Sequence, residues 1–424
     1  MSASVHALGC RVNQYEAQLL AERLADLAGT AGVHVVNTCA VTALADRKSR
    51  QLVRRLKREH PSALVVAVGC GADGAEDRLR RAGADLVVGN RDKARLRALL
   101  EAVRSGETPA IRGWDSLSEE RVAGPAPRTR ALLKVQDGCT VGCTFCRAWQ
   151  VRGPLRSKTP QAARSEADAL AQAGHQEIVL VGVNLAQYGQ DLPERPGLPD
   201  LLQELLRARG VRFRLSSLNP EGVTDDLVAL FAREARLCPY LHMPLQSGDD
   251  GVLRRMGRSY TATEYGERAH AFLAAVPQAT LGADAMVGFP GEDEAAFCRT
   301  VDLLDRLVPL NVHAFRFSPR DGTPAARFTP RVLSADAASR AARLADLAHR
   351  WARASQARFL GTEVRVAVED VADGAAWGRS EHYLWVEARG AQAARGTIVA
   401  VRLVEAADGH LVGVMADRAQ NRGD

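Results

Sequence analysis

The chain has 424 residues, 46% hydrophobic and 25% charged, which is ordinary for a globular protein. No apolar run approaches the ~20 residues needed to cross a bilayer, so no membrane partner is expected. The formal charge of +6 is a mild pointer to a polyanionic partner. MSASVHALGC, at the N-terminus, lacks the basic flank and long apolar stretch of a signal peptide, so a cytoplasmic location is expected.

Residues 1–107 alternate short apolar strands (VHALG, VHVVNTC, ALVVAVGC, LVVG) with helical stretches such as Tyr15 to Ala28 and Asp46 to His60. That alternation predicts an α/β fold, a doubly wound parallel sheet. Residues 108–127 are rich in Gly and Pro and read as a linker. A second alternation fills residues 128–358. LLKVQ, EIVLVG, RFRLSS, YLHMPL, LGADAMVG and VHAFRF read as six strands of a full or partial β/α barrel. A helix from about Ala335 to Arg358 closes it. Residues 359–424 alternate apolar and polar positions between Gly-containing turns, the pattern of a small antiparallel β-barrel.

Eight cysteines are present: Cys10, Cys39, Cys70, Cys139, Cys143, Cys146, Cys238 and Cys298. In a reducing cytosol disulfides explain them poorly. Cys139, Cys143 and Cys146 have the spacing CxxxCxxC in one short loop after an apolar strand. Three thiolates can hold three irons of a [4Fe–4S] cube and leave the fourth open to a ligand. A structural zinc site would want a fourth Cys or His. The next His is His175 and the next Cys is Cys238.

This spacing resembles the signature of the radical S-adenosylmethionine (SAM) superfamily. The resemblance implies that SAM chelates the open iron and is cleaved by one electron to a 5′-deoxyadenosyl radical. A flavodoxin- or ferredoxin-like donor is expected to supply the electron. Polar residues near the other strand ends fit a site floor: Asn184, Ser216, Ser217, His242, Gln246, Ser247, Asp284 and Arg316. Among them Asn184, Ser216, Gln246 and Asp284 are the candidates for binding SAM. No catalytic side chain is singled out.

Cys10, Cys39 and Cys70 are far apart, yet each ends a predicted parallel strand (HALGC, VVNTC, VAVGC). Carboxyl ends of parallel strands share one edge, where ligands bind. Three thiolates could therefore converge there on a second cluster; one cysteine at a strand end would be unremarkable, and three in the same structural position favour convergence over the alternative of three buried core cysteines.

The stretches LGCRVNQYEAQ, VVNTCAVTALADRKSRQ, KVQDGCTVGCTFC, EIVLVGVNLAQYG, RLSSLNPE, LCPYLHMPLQSGDDGVLRRMGRSYT, VGFPGEDEAAF, RFSPRDGTPAA and EHYLWV resemble those of tRNA methylthiotransferases over nearly the whole chain. The resemblance implies an N-terminal methylthiotransferase domain, a radical SAM core and a C-terminal RNA-binding TRAM barrel. It implies two [4Fe–4S] clusters as cofactors besides SAM. Cys139, Cys143 and Cys146 would hold the SAM cluster, and Cys10, Cys39 and Cys70 the auxiliary one. Cys238 and Cys298 match no ligand motif. Asn13-Gln14-Tyr15-Glu16 and the run Ala45 to Arg50 resemble the branch acting on N6-threonylcarbamoyladenosine, next to the anticodon. The implied partner is the tRNA anticodon stem-loop. The implied reaction is methylthiation of adenine C2, with a second SAM as methyl donor. Two stretches depart from the family pattern: Gly71-Ala72-Asp73 stands where Tyr-Ala-Gln is usual, and Arg147-Ala-Trp-Gln150 where an Ile/Val-Pro-Tyr-like stretch is usual.

Seven basic residues (Arg128, Arg130, Lys134, Arg147, Arg152, Arg156, Lys158) stand against Asp137 alone between 128 and 158, and residues 47–58 are also basic. Both runs suit phosphate contacts. Arg152, Arg156 and Arg316 are candidates to bind the threonylcarbamoyl carboxylate. The C-terminal region, from Arg358, holds eight Arg against ten Asp and Glu, so charge does not mark it as an RNA site. Trp377, Tyr383 and Trp385 read first as core and second as platforms for bases. Alternatives are methylthiation of isopentenyladenosine in tRNA or of a ribosomal-protein aspartate, and a non-enzymatic RNA-binding iron–sulfur sensor.

Overall fold

The computed structural model describes residues 4–25, 32–40, 43–105, 114–125, 128–390 and 393–416. In the N-terminal region β1 (Ser4–Ala7), β2 (Val33–Thr38), β3 (Leu64–Gly69) and β4 (Leu86–Val88) form one parallel sheet in that order. Helices α1 (Arg11–Arg23), α2 (Ala43–Glu59), α3 (Glu76–Arg81) and α4 (Leu96–Ser105) alternate with the strands. Successive strand side chains point to opposite faces. Val33, Val35, Val66 and Val68 pack on Leu20 of α1, on Leu24 just after it, and on Leu96 and Leu100 of α4. Val36, Val65 and Ala67 pack on Val53 and Leu56 of α2 and Leu79 of α3. Both faces are therefore covered, which is why these strands read as continuous apolar runs. Helix α1 starts four residues before the expected Tyr15, directly after Cys10. Its first turns carry Val12, Tyr15 and Leu19 into the core of the next region.

That region is a partial barrel. The six expected strands are β5 (Ala131–Lys134), then, after the short antiparallel pair β6 (Gln136–Asp137) and β7 (Arg156–Ser157), β8 (Glu177–Val181), β9 (Arg212–Leu215), β10 (Tyr240–His242), β11 (Thr280–Val287) and β12 (Asn311–Arg316). The strands β5-β8-β9 and β10-β11-β12 form parallel sheets, and parallel bridges Phe213–Leu237 and Ser217–His242 join them into one arc. Helices α5 (Ala148–Val151), α6 (Pro160–Gln172), α7 (Leu198–Leu205), α8 (Asp225–Arg233), α9 (Asp250–Met256), α10 (Ala262–Ala275), α11 (Glu294–Leu307) and α12 (Ser334–Ala357) accompany them. Their starts are set by local chemistry. Thr159, Thr224, Asp249, Thr261 and Asp293 each accept a backbone N–H of the first turn.

The chain ends in a closed barrel of β13 (Glu363–Ala372), β14 (Ala375–Ser380), β15 (Trp385–Arg389), β16 (Ile398–Ala407) and β17 (His410–Met415), in the order β13-β14-β15-β17-β16. All its pairings are antiparallel except that of β15 with β17. Closure leaves no open sheet edge, and the architecture is that of a TRAM domain. It docks on the amino ends of the large barrel's strands. Arg212 donates to the Arg365 carbonyl at 2.8 Å, Arg214 to those of Ser380 and Glu381 at 2.9 and 3.0 Å. Buried Glu177 pairs with both arginines, at 2.6 and 2.7 Å, which holds its pKa down at about 2 against burial. The contact also reaches the N-terminal region, where Arg11, next to Cys10, donates to the Tyr383 hydroxyl at 2.9 Å.

Candidate active site

The loop after β6 carries Cys139, Cys143 and Cys146. Gly138 turns it at φ 74°, where a Cβ would stand 2.0 Å from the Pro154 carbonyl oxygen, so only glycine fits. The Cys146 N–H donates to the Cys143 carbonyl at 3.0 Å, which curls the loop, and the Thr144 N–H donates to the Met256 carbonyl at 2.9 Å, which ties it to the end of α9. Each thiol meets a donor. Asn184 Nδ2 lies 3.9 Å from Cys139 Sγ, Arg258 Nη1 3.4 Å from Cys143 Sγ, and the Ala148 N–H 3.3 Å from Cys146 Sγ. Arg258 and Asn184 are themselves linked. Arg258 Nη2 donates to Asn219 Oδ1 at 2.8 Å, and Asn219 Nδ2 to Asn184 Oδ1 at 3.2 Å. A relay of three side chains from three barrel segments thus spans two of the loop sulfurs. Nothing in the spacing of the sequence marks Arg258 or Asn219; only their place in the stretches RLSSLNPE and RRMGRSYT does.

The N-terminal triad stands at one sheet edge, as the register Ala7–Asn37–Val68 requires. Cys39 Sγ lies so close to Gly9 that a Cβ there would be 2.5 Å away, a cradle that keeps Cys39 beside the Cys10 segment. Cys39 and Cys70 are buried and Cys10 is exposed. Burial pushes up the Cys70 thiol, while the nearby Arg152 and Lys93 charges pull it down and Cys10 adds to the rise. In the loop triad burial pushes the Cys146 thiol up to about 11 and raises Cys139 also. Bound cations reverse that preference by stabilising thiolate. Among the described residues no three Cys, His, Asp or Glu groups gather around a single point fit for one metal ion. The sulfurs of a four-iron cube sit on different irons and need not share such a point.

A cavity of about 460 Å³ is lined by Cys70, Gly71, Asp73 and Arg78 of the N-terminal region and by Arg147, the residue after Cys146, Arg320 and Asp321 of the barrel region, with Arg47 and Arg50 of α2 at its side. The two departures from the family pattern meet here. Arg147 Nη2 donates to the Asp73 carbonyl at 3.4 Å, and its Nη1 donates to that of Asp321. Gly74 and Gly322 leave the room, since a Cβ on either would come within 2.8 Å of the guanidinium.

The other candidates divide. Asn184 is the cap of the turn after β8 and touches Cys139, as above. Ser216 is half-buried at the end of β9, its N–H held by the Leu180 carbonyl at 3.0 Å. Gln246 is buried at φ 68°, and among the described residues its Oε1 has no hydrogen-bond partner. A buried orphan acceptor in a strained backbone suits a missing ligand donor. Asp284 lies mid-strand in β11, its Oδ1 3.0 Å from His242 Nε2 and 3.7 Å from His313 Nδ1. Ser217 and Arg316 are exposed.

Arg152 and Arg156 do not face the cavity as free cations. Arg152 is buried and donates to Glu16 at 2.9 Å, Asp137 at 3.1 Å and Asn13 at 2.6 Å; Arg156 donates to Asp137 at 3.0 Å. Lys93 and Lys134 close the same network on Glu16, at 2.6 and 3.0 Å. Burial opposes the Glu16 carboxylate, yet Arg152, Lys134 and Lys93 hold its pKa well below the ordinary range. Lys158 pairs with Glu166 beside the Tyr15 hydroxyl. The basic run at 128–158 is therefore largely a buried joint between the N-terminal sheet and the barrel, not a phosphate surface. The motif Asn13 to Glu16 supplies its partners. Trp377 and Trp385 are half-buried, 6.3 Å apart, and lie outside the small barrel's core, so the core reading fails for them. Tyr383 stacks on Tyr240 at 4.3 Å and accepts from Arg11 at 2.9 Å, joining all three regions.

Comparison with known proteins gives this geometry its context. Residues 133–304 match the radical SAM superfamily, and residues 2–89 match a family described as "Uncharacterized protein family UPF0004". The threonylcarbamoyladenosine tRNA methylthiotransferase MtaB of Thermotoga maritima is 33% identical over 99% of this chain and 98% of its own length; the Bacillus subtilis protein of the same name is 33% identical over 98% and 97%. A tRNA-2-methylthio-N(6)-dimethylallyladenosine synthase from Thermus thermophilus is also 33% identical, over 87% of this chain and 81% of its own. Among solved structures, the radical SAM methyltransferase TsrM from Kitasatospora setae superposes with a TM-score of 0.56 at 17% identity, over 69% of this chain and 65% of TsrM, a likeness of fold. A radical SAM domain implies a [4Fe–4S] cluster and SAM, and none of the helices among the described residues is long and apolar enough to cross a membrane. This chain is an enzyme that belongs to the radical SAM tRNA methylthiotransferases, and it is MtaB-like.

Proposed function

We propose that this enzyme methylthiolates C2 of N6-threonylcarbamoyladenosine, immediately 3′ of the anticodon, using two [4Fe–4S] clusters. The observation that carries the reading is the cavity that has Cys70 of the strand triad and Arg147, the residue after Cys146, in its lining. A base placed there would border Cys70 and the residue that follows Cys146. When bound, the loop cluster with SAM and one electron supplies the radical that opens an unactivated C–H, and the second cluster supplies sulfur.

The chain's own residues divide the remaining work. Cys139, Cys143 and Cys146 hold the first cluster and Cys10, Cys39 and Cys70 the second. Asn184, Ser216 and Gln246 border the SAM position, and Asp284 fixes His242 below it. The Glu16–Arg152–Asp137 joint keeps the two sites at a fixed separation. Residues 1–107, 128–358 and 359–424 act as three domains joined through the linker at 108–127. Trp377 and Trp385 offer faces for stacking on the stem-loop. The electron comes from a flavodoxin- or ferredoxin-like donor, and the setting is the cytoplasm.

Relatives named for either modified adenosine are 33% identical, the MtaB proteins over 98–99% of this chain and the Thermus thermophilus synthase over 87%, and the cavity adds to the choice of base. Its lining holds five arginines against three aspartates, which suits the carboxylate-bearing appendage and leaves an isopentenyl group facing charge. Reconstituted enzyme is expected to convert tRNA carrying threonylcarbamoyladenosine and leave tRNA carrying isopentenyladenosine untouched, read by nucleoside mass spectrometry. Preference for the isopentenyl form would overturn the base assignment.

A further inference from the structure

The cavity holds more cations than its own carboxylates occupy, and which of them remain uncommitted can be worked out from its lining. Arg50 pairs with Asp46 at 3.6 Å and Arg78 with Asp321 at 3.9 Å. Arg147 is spent on the Asp73 and Asp321 carbonyls. The Asp73 carboxylate accepts from the Asn90 backbone and side chain at 3.1 and 2.9 Å. Two guanidiniums are left. Arg47 projects from the exposed side of α2, and among the described residues it has no ion pair. Arg320 follows β12, and its Nε is buried without a hydrogen-bond partner. A buried donor without an acceptor is costly unless a ligand completes it. Both line the space that Cys70 borders.

We infer that Arg47 and Arg320 form an oxyanion site that takes the carboxylate of the threonylcarbamoyl group; this rests on the reading of the cavity as the base pocket. Guanidinium forks match a carboxylate with paired, charge-assisted hydrogen bonds, and an isopentenyl tail can make none of them. The site lies beside Cys70, so anchoring the appendage there also turns the purine toward the N-terminal triad. The shared chemistry is that of an oxyanion, and a phosphate of the RNA backbone is the other source.

The test uses reconstituted full-length enzyme and two synthetic anticodon stem-loops, identical except that one carries threonylcarbamoyladenosine and the other plain adenosine at the target position. Binding is read by fluorescence anisotropy for wild type, Arg47→Met, Arg320→Met and the lysine variants. Either methionine change should weaken the modified stem-loop by about tenfold or more, the loss of one charge-assisted contact. Affinity for the plain stem-loop should stay unchanged. Arg320→Lys should recover part of the loss, and unchanged thermal midpoints should accompany every variant. Equal weakening of both stem-loops would assign the arginines to phosphate and overturn the inference, and so would no change in either. Failure of the underlying reading has its own signature: wild type would bind both stem-loops alike and form no methylthio product on the modified one.

Discussion

Cys139, Cys143 and Cys146 sit in one loop between β6 and α5, while Cys10, Cys39 and Cys70 follow three different strands. The loop triad is shaped locally, by Gly138 at φ 74° and by the curl from Cys146 to Cys143. The strand triad is shaped by sheet register and by the closeness of Gly9 to Cys39. Their charged neighbours differ as well. Arg258 donates directly to Cys143 sulfur, whereas Arg152 stands by Cys70 and Cys10 while bonding Glu16 and Asp137. The difference teaches that a contiguous site survives as long as its loop does, but a dispersed one inherits every weakness of the sheet and of its docking.

The largest effect should come from removing each triad whole. Changing Cys139, Cys143 and Cys146 to Ala should abolish 5′-deoxyadenosine formation and halve the iron content of reconstituted protein. Changing Cys10, Cys39 and Cys70 to Ala should also halve the iron, yet leave SAM cleavage in place while methylthio product disappears. Iron analysis with chromatography of SAM products reads both. A strand-triad variant with an intact loop cluster that no longer cleaves SAM would break the division of labour.

Next in size is the joint between the regions. Glu16→Gln removes the negative charge shared by Lys93, Lys134 and Arg152 and puts an amide NH2 among them, leaving buried charge uncompensated, so it should cost about 3–5 kcal/mol in denaturant unfolding. The sign with pH follows from the depressed pKa values of Glu16 and Asp137. Their stabilisation is present above the unfolded carboxylate range and lost as pH falls through the folded values. The gap between wild type and Glu16→Gln should therefore hold from about pH 7 to 5 and narrow below about pH 4. A gap that widened on acidification would show that the network is not held ionised.

Much of this was legible in the sequence, and the misses share a cause. The six barrel strands, the closing barrel and both triads follow from periodicity, spacing and strand-end position. Arg152, Arg156, Lys134 and Lys158 were read as surface cations because a sequence displays charge and not burial. Asp137 lies inside the same run and Glu166 follows it on α6, while Glu16 comes from the N-terminal region and meets Lys134 and Arg152 only when α1 docks on β5. The same holds for Arg47 and Arg320, which stand far apart in sequence and meet around one cavity. Trp377 and Trp385 misled in the opposite sense: apolar bulk suggested core, but the inward face of their strands is filled by Ala376 and Val386.

A smaller effect, confined to one triad, should follow from Arg258→Gln. The guanidinium places a positive charge and a donor on Cys143 sulfur, and both stabilise the more negative, reduced form of a cluster held there. Losing them should make the potential of that cluster more negative without loss of iron. Arg258→Lys should fall between. A potentiometric titration followed by electron paramagnetic resonance, in the background lacking Cys10, Cys39 and Cys70, reads the loop site alone. An unchanged potential would mean that the relay through Asn219 and Asn184 only holds the fold.

The smallest effects are expected at the two cysteines outside the triads, and they set the scale for the rest. Cys298 is exposed on α11, with Glu294 Oε1 at 3.9 Å as the acceptor near its thiol. Cys298→Ser keeps the shape and the weak donor, so it should shift stability by less than about 0.5 kcal/mol and leave iron content and turnover alone. Cys238 is buried at the start of the segment leading to β10, beside the Arg212–Arg214–Glu177 group, and burial pushes its thiol up to about 11. Its neutral sulfur fills space among charged groups already satisfied by one another. Cys238→Ala should thus cost about 1 kcal/mol in thermal or denaturant unfolding through lost packing, again with no change in iron. Loss of iron in either variant would mean that a cluster ligand lies outside the six cysteines, and the contrast between loop and strand triads would have to be redrawn.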